Sequence, residues 1–330
     1  MKILITGAAG FIGFHLAKRL LSMGHEVFGV DNFNDYYSVQ LKRDRHTQLE
    51  VEKGYQWKVC DLTDLPGLQD AMKQFQPDCV VNLAAQAGVR YSITNPHVYQ
   101  ASNLEGFLNV LECCRHASKK PRLVYASSSS VYGGNTVLPF TEDQAVDYPV
   151  SLYAATKKAN ELMAHCYSHL FGLQTIGLRF FTVYGPWGRP DMAYWLFTEA
   201  LLRGDPIKVF NYGEMYRDFT YIDDIVYGIV GCVMSKTLPR YEIFNIGNNQ
   251  SEKLLDFIQI IAKTLGVDHP KIEFLPMQDG DVPATYASVA KLHEAIGYKP
   301  TTSISAGIPQ FVSWFKAYHQ TENKQKRNAL

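Results

Sequence analysis

The stretch Thr6-Gly7-Ala8-Ala9-Gly10-Phe11-Ile12-Gly13 constrains the fold of this chain more than any other. It follows an apolar run over Lys2–Thr6 and leads at once into a helix-period pattern over 11–23. A strand, a turn holding three glycines and a helix are what that order specifies. The glycines allow a tight turn, let backbone N–H groups approach a pyrophosphate, and let the helix pack against the strand. The positive end of the helix dipole then faces the phosphates. Small residues also make compact turns with no ligand, so the rest of the chain has to decide between the two readings.

The first half of the chain repeats the alternation. Apolar, β-rich runs at 2–6, 26–30, 56–60, 78–83, 122–127 and 175–180 are separated by helix-period segments at 11–23, 64–75, 98–117 and 152–170. Strands apolar on both faces, with helices between them, predict a parallel sheet covered on both sides. Right-handed crossovers make it an α/β, doubly wound, Rossmann-type sheet with its ligand crevice at the carboxyl ends of the strands. Prolines 186, 190, 206, 239, 270, 276, 283 and 300 interrupt the pattern later on. We therefore expect a dinucleotide-binding domain over 1–180, with segments returning to it near 220–250. A smaller substrate-binding lobe is expected mainly over 181–330, with a polar tail that frays from Gln320.

Composition narrows the partners. Lys plus Arg and Asp plus Glu are both 32 in 330 residues, so no net charge favours nucleic acid or an anionic membrane. Hydrophobic residues at 46% and charged residues at 19% suit a globular protein. No apolar run approaches the ~20 residues that span a bilayer. The six cysteines form no C-x-x-C pair and no Cys/His cluster, so a metal is not expected and buried thiols in a reducing compartment are. The short apolar start meets glycine too early for a signal peptide. A cytoplasmic location is the expectation.

The second strand ends at Asp31-Asn32, where a carboxylate accepts hydrogen bonds from ribose hydroxyls and repels a 2′-phosphate. NAD is therefore favoured over NADP. Asp61-Leu62 follows the third strand in the same manner, where Asp61 could reach adenine. Farther on, Tyr153-Ala154-Ala155-Thr156-Lys157 puts a phenol and an ammonium four apart on one helix face, downstream of Ser127-Ser128-Ser129-Ser130-Val131-Tyr132. With 20 tyrosines, one Tyr-x-x-x-Lys arises by chance, so position carries the weight. Oxidising a secondary alcohol requires a base for the hydroxyl proton. A phenol whose ordinary pKa is about 10 becomes usable beside a cation.

The G-x-x-G-x-x-G spacing, Asn82-Leu83-Ala84-Ala85, Asn103-Leu104-Glu105-Gly106, the serine run and Tyr153/Lys157 together resemble the extended short-chain dehydrogenase/reductase superfamily. In that superfamily they belong to the NAD-dependent epimerase/dehydratase branch. The resemblance implies bound NAD held by Gly7, Gly10, Phe11, Ile12, Gly13, Asp31, Asn32, Asp61, Leu62, Ala84, Ala85, Asn103, Ser127, Tyr153 and Lys157. It also implies catalysis by Tyr153, Lys157 and Ser128, with Ser129 as the other serine that could contact substrate. Dehydratases of the branch carry Thr-Asp-Glu-Val-Tyr here, and decarboxylating members a Glu two before that Tyr. Ser129 and Ser130 stand in those places, which favours plain epimerisation.

Val89-Arg90-Tyr91-Ser92, the run from Pro149 to Lys158, and Phe181-Thr182-Val183-Tyr184-Gly185-Pro186-Trp187-Gly188-Arg189-Pro190 resemble the branch's UDP-glucuronate 4-epimerases. Arg189 with Thr182, and secondarily Arg90, are the candidates for a sugar carboxylate, since guanidinium matches carboxylate in paired hydrogen bonds. By resemblance, Arg217 takes the UDP phosphates. Met277-Gln278 stands where many UDP-hexose epimerases have a further Arg. The same resemblance implies a homodimer pairing the helices that hold Asn103 and Tyr153. Rival readings are a UDP-glucose or UDP-N-acetylhexosamine 4-epimerase, a UDP-glucuronate decarboxylase, and a non-catalytic NAD-sensing regulator. Regulators on this fold lose Tyr or Lys, and both are present.

Overall fold

The computed structural model describes residues 1–328, with side chains through Gln320. Its centre is a seven-stranded parallel sheet. The first six strands are β1 (Lys2–Thr6), β2 (Glu26–Asp31), β3 (Tyr55–Val59), β4 (Cys79–Asn82), β5 (Arg122–Ser128) and β6 (Thr175–Phe180), and Tyr241–Ile246 is the seventh. Their spatial order is β3-β2-β1-β4-β5-β6 and then Tyr241–Ile246. Every neighbouring pair runs parallel.

Alternate residues of each strand enter opposite layers. Ile3 and Ile5 of β1 join Phe14, Leu16 and Leu20 of α1 (Phe11–Ser22) on one face. Leu4 joins Leu68, Met72 and Phe75 on the other, from the helix Leu65–Phe75. The expected two-sided burial is clear in β4 and β6, where every residue is buried. The edge strand β3 departs from it, with Gln56, Trp57 and Val59 exposed.

The chain beyond 181 is divided in its duties. The helix Ile222–Met234 packs on the sheet through Ile225, Ile229 and Val233, and Tyr241–Ile246 pairs with β6. The remainder builds small two-stranded ladders, Thr182–Tyr184 with Phe219–Tyr221 and Ile207–Val209 with Ile272–Phe274. Helix Ile304–Asn328 extends through most of the tail expected to fray from Gln320, and Ala329 and Leu330 lie outside the described residues. Among the described residues no helix is long and apolar enough to cross a membrane.

One expected helix is not continuous. The segment 98–117 forms a short turn, Pro96–Tyr99, a π-helical stretch, Gln100–Glu105, and an α-helix, Gly106–His116. The wider π turn changes which side chains face the sheet, a feature frequent beside functional sites. At Gly106 an added Cβ would lie 2.6 Å from the Leu62 Cβ, so the helix could not run this close with a larger residue.

Candidate active site

The order of the sheet reverses between β1 and β4, and a cleft of about 470 Å³ opens at their carboxyl ends. Thr6 Oγ1 ties the two strand ends together. It donates to Asn82 Oδ1 at 2.7 Å and accepts from Ala84 N at 3.2 Å. Gly7 follows with φ 72°, and its N–H bonds the Val30 carbonyl at 2.7 Å. The loop tolerates no side chain at Gly7 or Gly13: a Cβ would lie 2.8 Å from Ala84 N at Gly7, and 2.0 Å from the Gly7 carbonyl oxygen at Gly13. Gly10 caps α1 without a side chain, leaving the first turn to face the cleft. Such a cradle fits a dinucleotide pyrophosphate.

The adenosine side is assembled from acids. Asp31 accepts from Ala9 N at 3.0 Å and from Phe33 N at 2.9 Å, so it both holds the glycine loop and forms the turn with Asn32. Asn32 Nδ2 donates to Asp61 at 2.6 Å. Burial raises the Asp61 carboxyl, but hydrogen bonds from Thr63 and Asn32 outweigh it and hold the group below its ordinary pKa. Leu62, Ala84, Ala85, Phe11 and Ile12 line the same cleft.

Asn103 is 2% exposed and is not among the residues that line the cleft. Its amide accepts from Gln86 N at 2.8 Å and donates to the Gln86 carbonyl at 3.0 Å and to Thr156 Oγ1 at 3.0 Å. The π turn points it into this clamp, which joins the loop after β4 to the helix Leu152–Phe171. Ser102 takes the cleft-facing position instead.

Tyr153 and Lys157 lie on that helix, begun by Ser151 Oγ accepting from Ala154 N at 3.1 Å. Both line the cleft beside Ser127, Ser128, Ser129 and Ser130. Lys157 is 3% exposed, and its Nζ donates to the Ala126 carbonyl at 3.0 Å. Burial pulls its pKa down to about 8. Burial raises the Tyr153 phenol above its ordinary value, while a hydrogen bond with Ser128 and the field of Arg189 pull it back. The sequence expectation made Lys157 the group that acidifies Tyr153. In the structure Ser128 and Arg189 draw the phenol back down, while Lys157 Nζ donates to the Ala126 carbonyl.

The serines divide their work. Ser127 Oγ donates to Glu161 at 2.7 Å, beneath the cleft, where Glu161 also holds Arg179 through two bonds of 2.8 and 2.9 Å. Ser128 Oγ accepts from Ser130 N at 3.2 Å and begins the turn Ser129–Tyr132.

At the substrate end Thr182 and Arg189 line the cleft. Arg189 is not free: its Nε and Nη2 both bond Asp191, which Tyr36 Oη also contacts at 3.1 Å. Neither Arg90 nor Arg217 lines the cleft itself. Arg217 Nη2 bonds Asp281 Oδ1 at 2.8 Å, and Arg90 stands 3.6 Å from Asp281 Oδ2 with its guanidinium over Phe210. Only Asp281 of this trio reaches the lining. An anionic ligand points to cations in the sequence and gives no reason to single out Asp191 or Asp281. The spacing Arg189-Pro190-Asp191 was a visible signal for the first, while nothing local links Asp281 to Arg90. Among the described residues no group of three or more His, Cys, Asp or Glu is placed to hold a metal ion.

A fold reversing at a glycine-lined cleft, with an acid at the ribose end and Tyr, Lys and Ser at the other, defines a dinucleotide enzyme acting on an alcohol. The model of the NAD dependent epimerase/dehydratase family matches residues 3–247, and the chain belongs to that family. Its cofactor is NAD. Two curated relatives sharpen the comparison. The chain is 45% identical over 333 residues to a probable UDP-glucuronate 4-epimerase of Rhizobium meliloti, covering 96% of this chain and 97% of that one. It is 44% identical to UDP-glucuronate 4-epimerase 2 of Arabidopsis thaliana, covering 98% of this chain and 78% of that one. Among solved structures, UDP-glucuronic acid 4-epimerase from Bacillus cereus in complex with UDP-glucuronic acid and NAD superposes with a TM-score of 0.90 at 35% identity. That likeness covers 96% of this chain and 100% of the other.

Proposed function

We propose that this enzyme interconverts UDP-glucuronate and UDP-galacturonate by transient oxidation at the sugar 4-position. The observation that carries the reading is the convergence of Tyr153, Ser128 and Arg189 on one cleft whose other end is the glycine cradle. When bound there, NAD supplies a two-electron acceptor that is regenerated within each turnover.

The chain's own residues handle the proton and the geometry. Tyr153 Oη removes the 4-hydroxyl proton, holds it while that carbon is a ketone, and returns it when the alcohol re-forms. Ser128 donates to the sugar oxygen as charge gathers on it, and Ser129 lies next along the same lining. Lys157 is kept cationic below about pH 8 and anchors the helix to β5 through Ala126. UDP stays bound while the 4-keto sugar turns over and presents its opposite face. In this reading residues 1–180, with 220–250, hold the cofactor, and the rest of 181–330 mainly holds the sugar nucleotide.

Arg189 and Thr182 take the sugar carboxylate. The 4-keto intermediate is a β-keto acid, which loses carbon dioxide when its carboxylate aligns with the carbonyl π system. A guanidinium held by Asp191 keeps that group in a fixed plane, which favours epimerisation over decarboxylation. Arg90 and Arg217, both paired with the cleft-lining Asp281, take the diphosphate in this reading once those pairs open.

A homodimer and a cytoplasmic location complete the reading. Leu108 and Leu162 are exposed on the helices Gly106–His116 and Leu152–Phe171, a surface suited to a second copy. All six cysteines are free, five of them buried, which suits a reducing compartment. The test is incubation with UDP-glucuronate and no added cofactor, with products separated by NMR. UDP-galacturonate is the expected product; a 4-keto pentose as the main product, or no conversion, contradicts the reading.

A further inference from the structure

The loop 186–189, which carries Arg189 into the cleft, is fastened to the cofactor side by three successive carbonyls. His15 Nε2 of α1 meets the Pro186 carbonyl at 2.9 Å. Arg45, from the helix Val39–Glu50, takes the next two. Its Nε and Nη2 donate to the Trp187 carbonyl at 3.1 and 2.7 Å, and Nη2 donates also to the Gly188 carbonyl at 2.9 Å. The opposite edge of the same guanidinium donates from Nη1 to the Ala9 carbonyl at 3.1 Å and to Tyr37 Oη at 2.8 Å. Ala9 lies inside the glycine loop, so one planar group spans the cofactor seat and the substrate loop.

Arg45 is 0% exposed, and every one of these acceptors is uncharged. A buried cation without a carboxylate is costly, and each lost acceptor would leave a donor stranded. The guanidinium fork is rigid, so displacement of Ala9 is felt at 187 and 188 rather than absorbed. Trp187 is itself in the left-handed region at φ 60°, a conformation that must be held from outside.

From these contacts we infer that Arg45 is a positioning residue that couples occupancy of the dinucleotide seat to the loop bearing Arg189, so that NAD and the sugar nucleotide tighten each other's binding. Such coupling is reciprocal, and it acts on binding rather than on the chemical step. The inference rests on the cleft being a UDP-glucuronate site. Wild-type conversion of UDP-glucuronate is therefore measured first, and its absence would count against that reading alone.

The experiment follows NAD release from the holoenzyme, trapped by an excess of a second NAD-binding enzyme, with and without saturating UDP-glucuronate. In the wild type, UDP-glucuronate is expected to slow release about tenfold or more. In Arg45→Lys, which keeps the charge and loses the fork, the slowing falls below about twofold; KM for UDP-glucuronate rises about tenfold while kcat stays within about threefold. A wild type without protection, or an Arg45→Lys variant with full protection, overturns the inference, as does a loss confined to kcat. If Arg45→Lys does not fold, Tyr37→Phe replaces it; protection is then expected to fall at least about threefold, and full protection overturns the inference.

Discussion

At the scale of single residues, turnover rests on Tyr153 and Lys157. Tyr153→Phe removes the proton acceptor and leaves the ring, so kcat is expected to fall about 10²–10⁴-fold while bound NAD, read by absorbance, is retained. Lys157 makes a prediction with a sign. Its pKa in the fold is lowered from 10.5 to about 8, so folding disfavours the charged form. That penalty is absent above 10.5 and is fully present below about 8. At pH 7 the lowering from 10.5 to about 8 corresponds to about 3 kcal/mol. Lys157→Met is expected to stabilise the cofactor-free protein by about 1–3 kcal/mol at pH 7 and to abolish turnover, as read from urea midpoints and product formation. Destabilisation at pH 7 would contradict it. Arg189→Ala is expected to lower kcat/KM for UDP-glucuronate far more than for UDP-glucose; equal losses would remove Arg189 from carboxylate recognition. The residue types at this end were legible because the chemistry demands a phenol, an ammonium and a hydroxyl at fixed chain positions. The acids were not. Asp191 and Asp281 are engaged by arginines, one of them over a long sequence separation, and a search for groups matching an anion passes over carboxylates.

At the scale of elements, glycine spacing is what the sequence records most faithfully. Gly13→Ala puts a Cβ 2.0 Å from the Gly7 carbonyl oxygen, so strand and helix must part. NAD retained on purification is expected to drop about tenfold or more, with a loss of about 1–3 kcal/mol in stability. Full retention would show that the loop relaxes. The six strands were legible from apolar runs, and the helical segments at 11–23, 64–75, 98–117 and 152–170 from their 3.6-residue period. Two features were not. The seventh strand, Tyr241–Ile246, reads as an ordinary half-buried run, and only its pairing with β6 reveals its place. The π turn at Gln100–Glu105 leaves no periodic signal, since it shifts a helix phase without ending the helix. The clamp that the Asn103 amide makes on Gln86 and Thr156 is equally without a sequence signal. Asn103→Ala leaves the Gln86 backbone groups unpaired in a buried place, and a loss of about 1–3 kcal/mol in urea unfolding is expected.

At the scale of the whole molecule, cofactor and sugar meet where the sheet reverses, and helices Val39–Glu50 and Leu152–Phe171 supply Lys42, Tyr153 and Lys157 to the lining of that cleft. In the proposed cycle NAD stays in this cleft, and oxidation is undone before product leaves. The sequence carries the motifs of this arrangement but not the contacts that join its halves, because Arg45 to Trp187 and Arg217 to Asp281 exist only in the folded chain. The most direct test uses UDP-glucuronate deuterated at carbon 4, turned over in ordinary water by the purified enzyme without added NAD. If hydrogen is lent and returned within one closed site, the UDP-galacturonate formed keeps its deuterium at carbon 4. Loss of the label to solvent, or a requirement for stoichiometric NAD, would contradict the account.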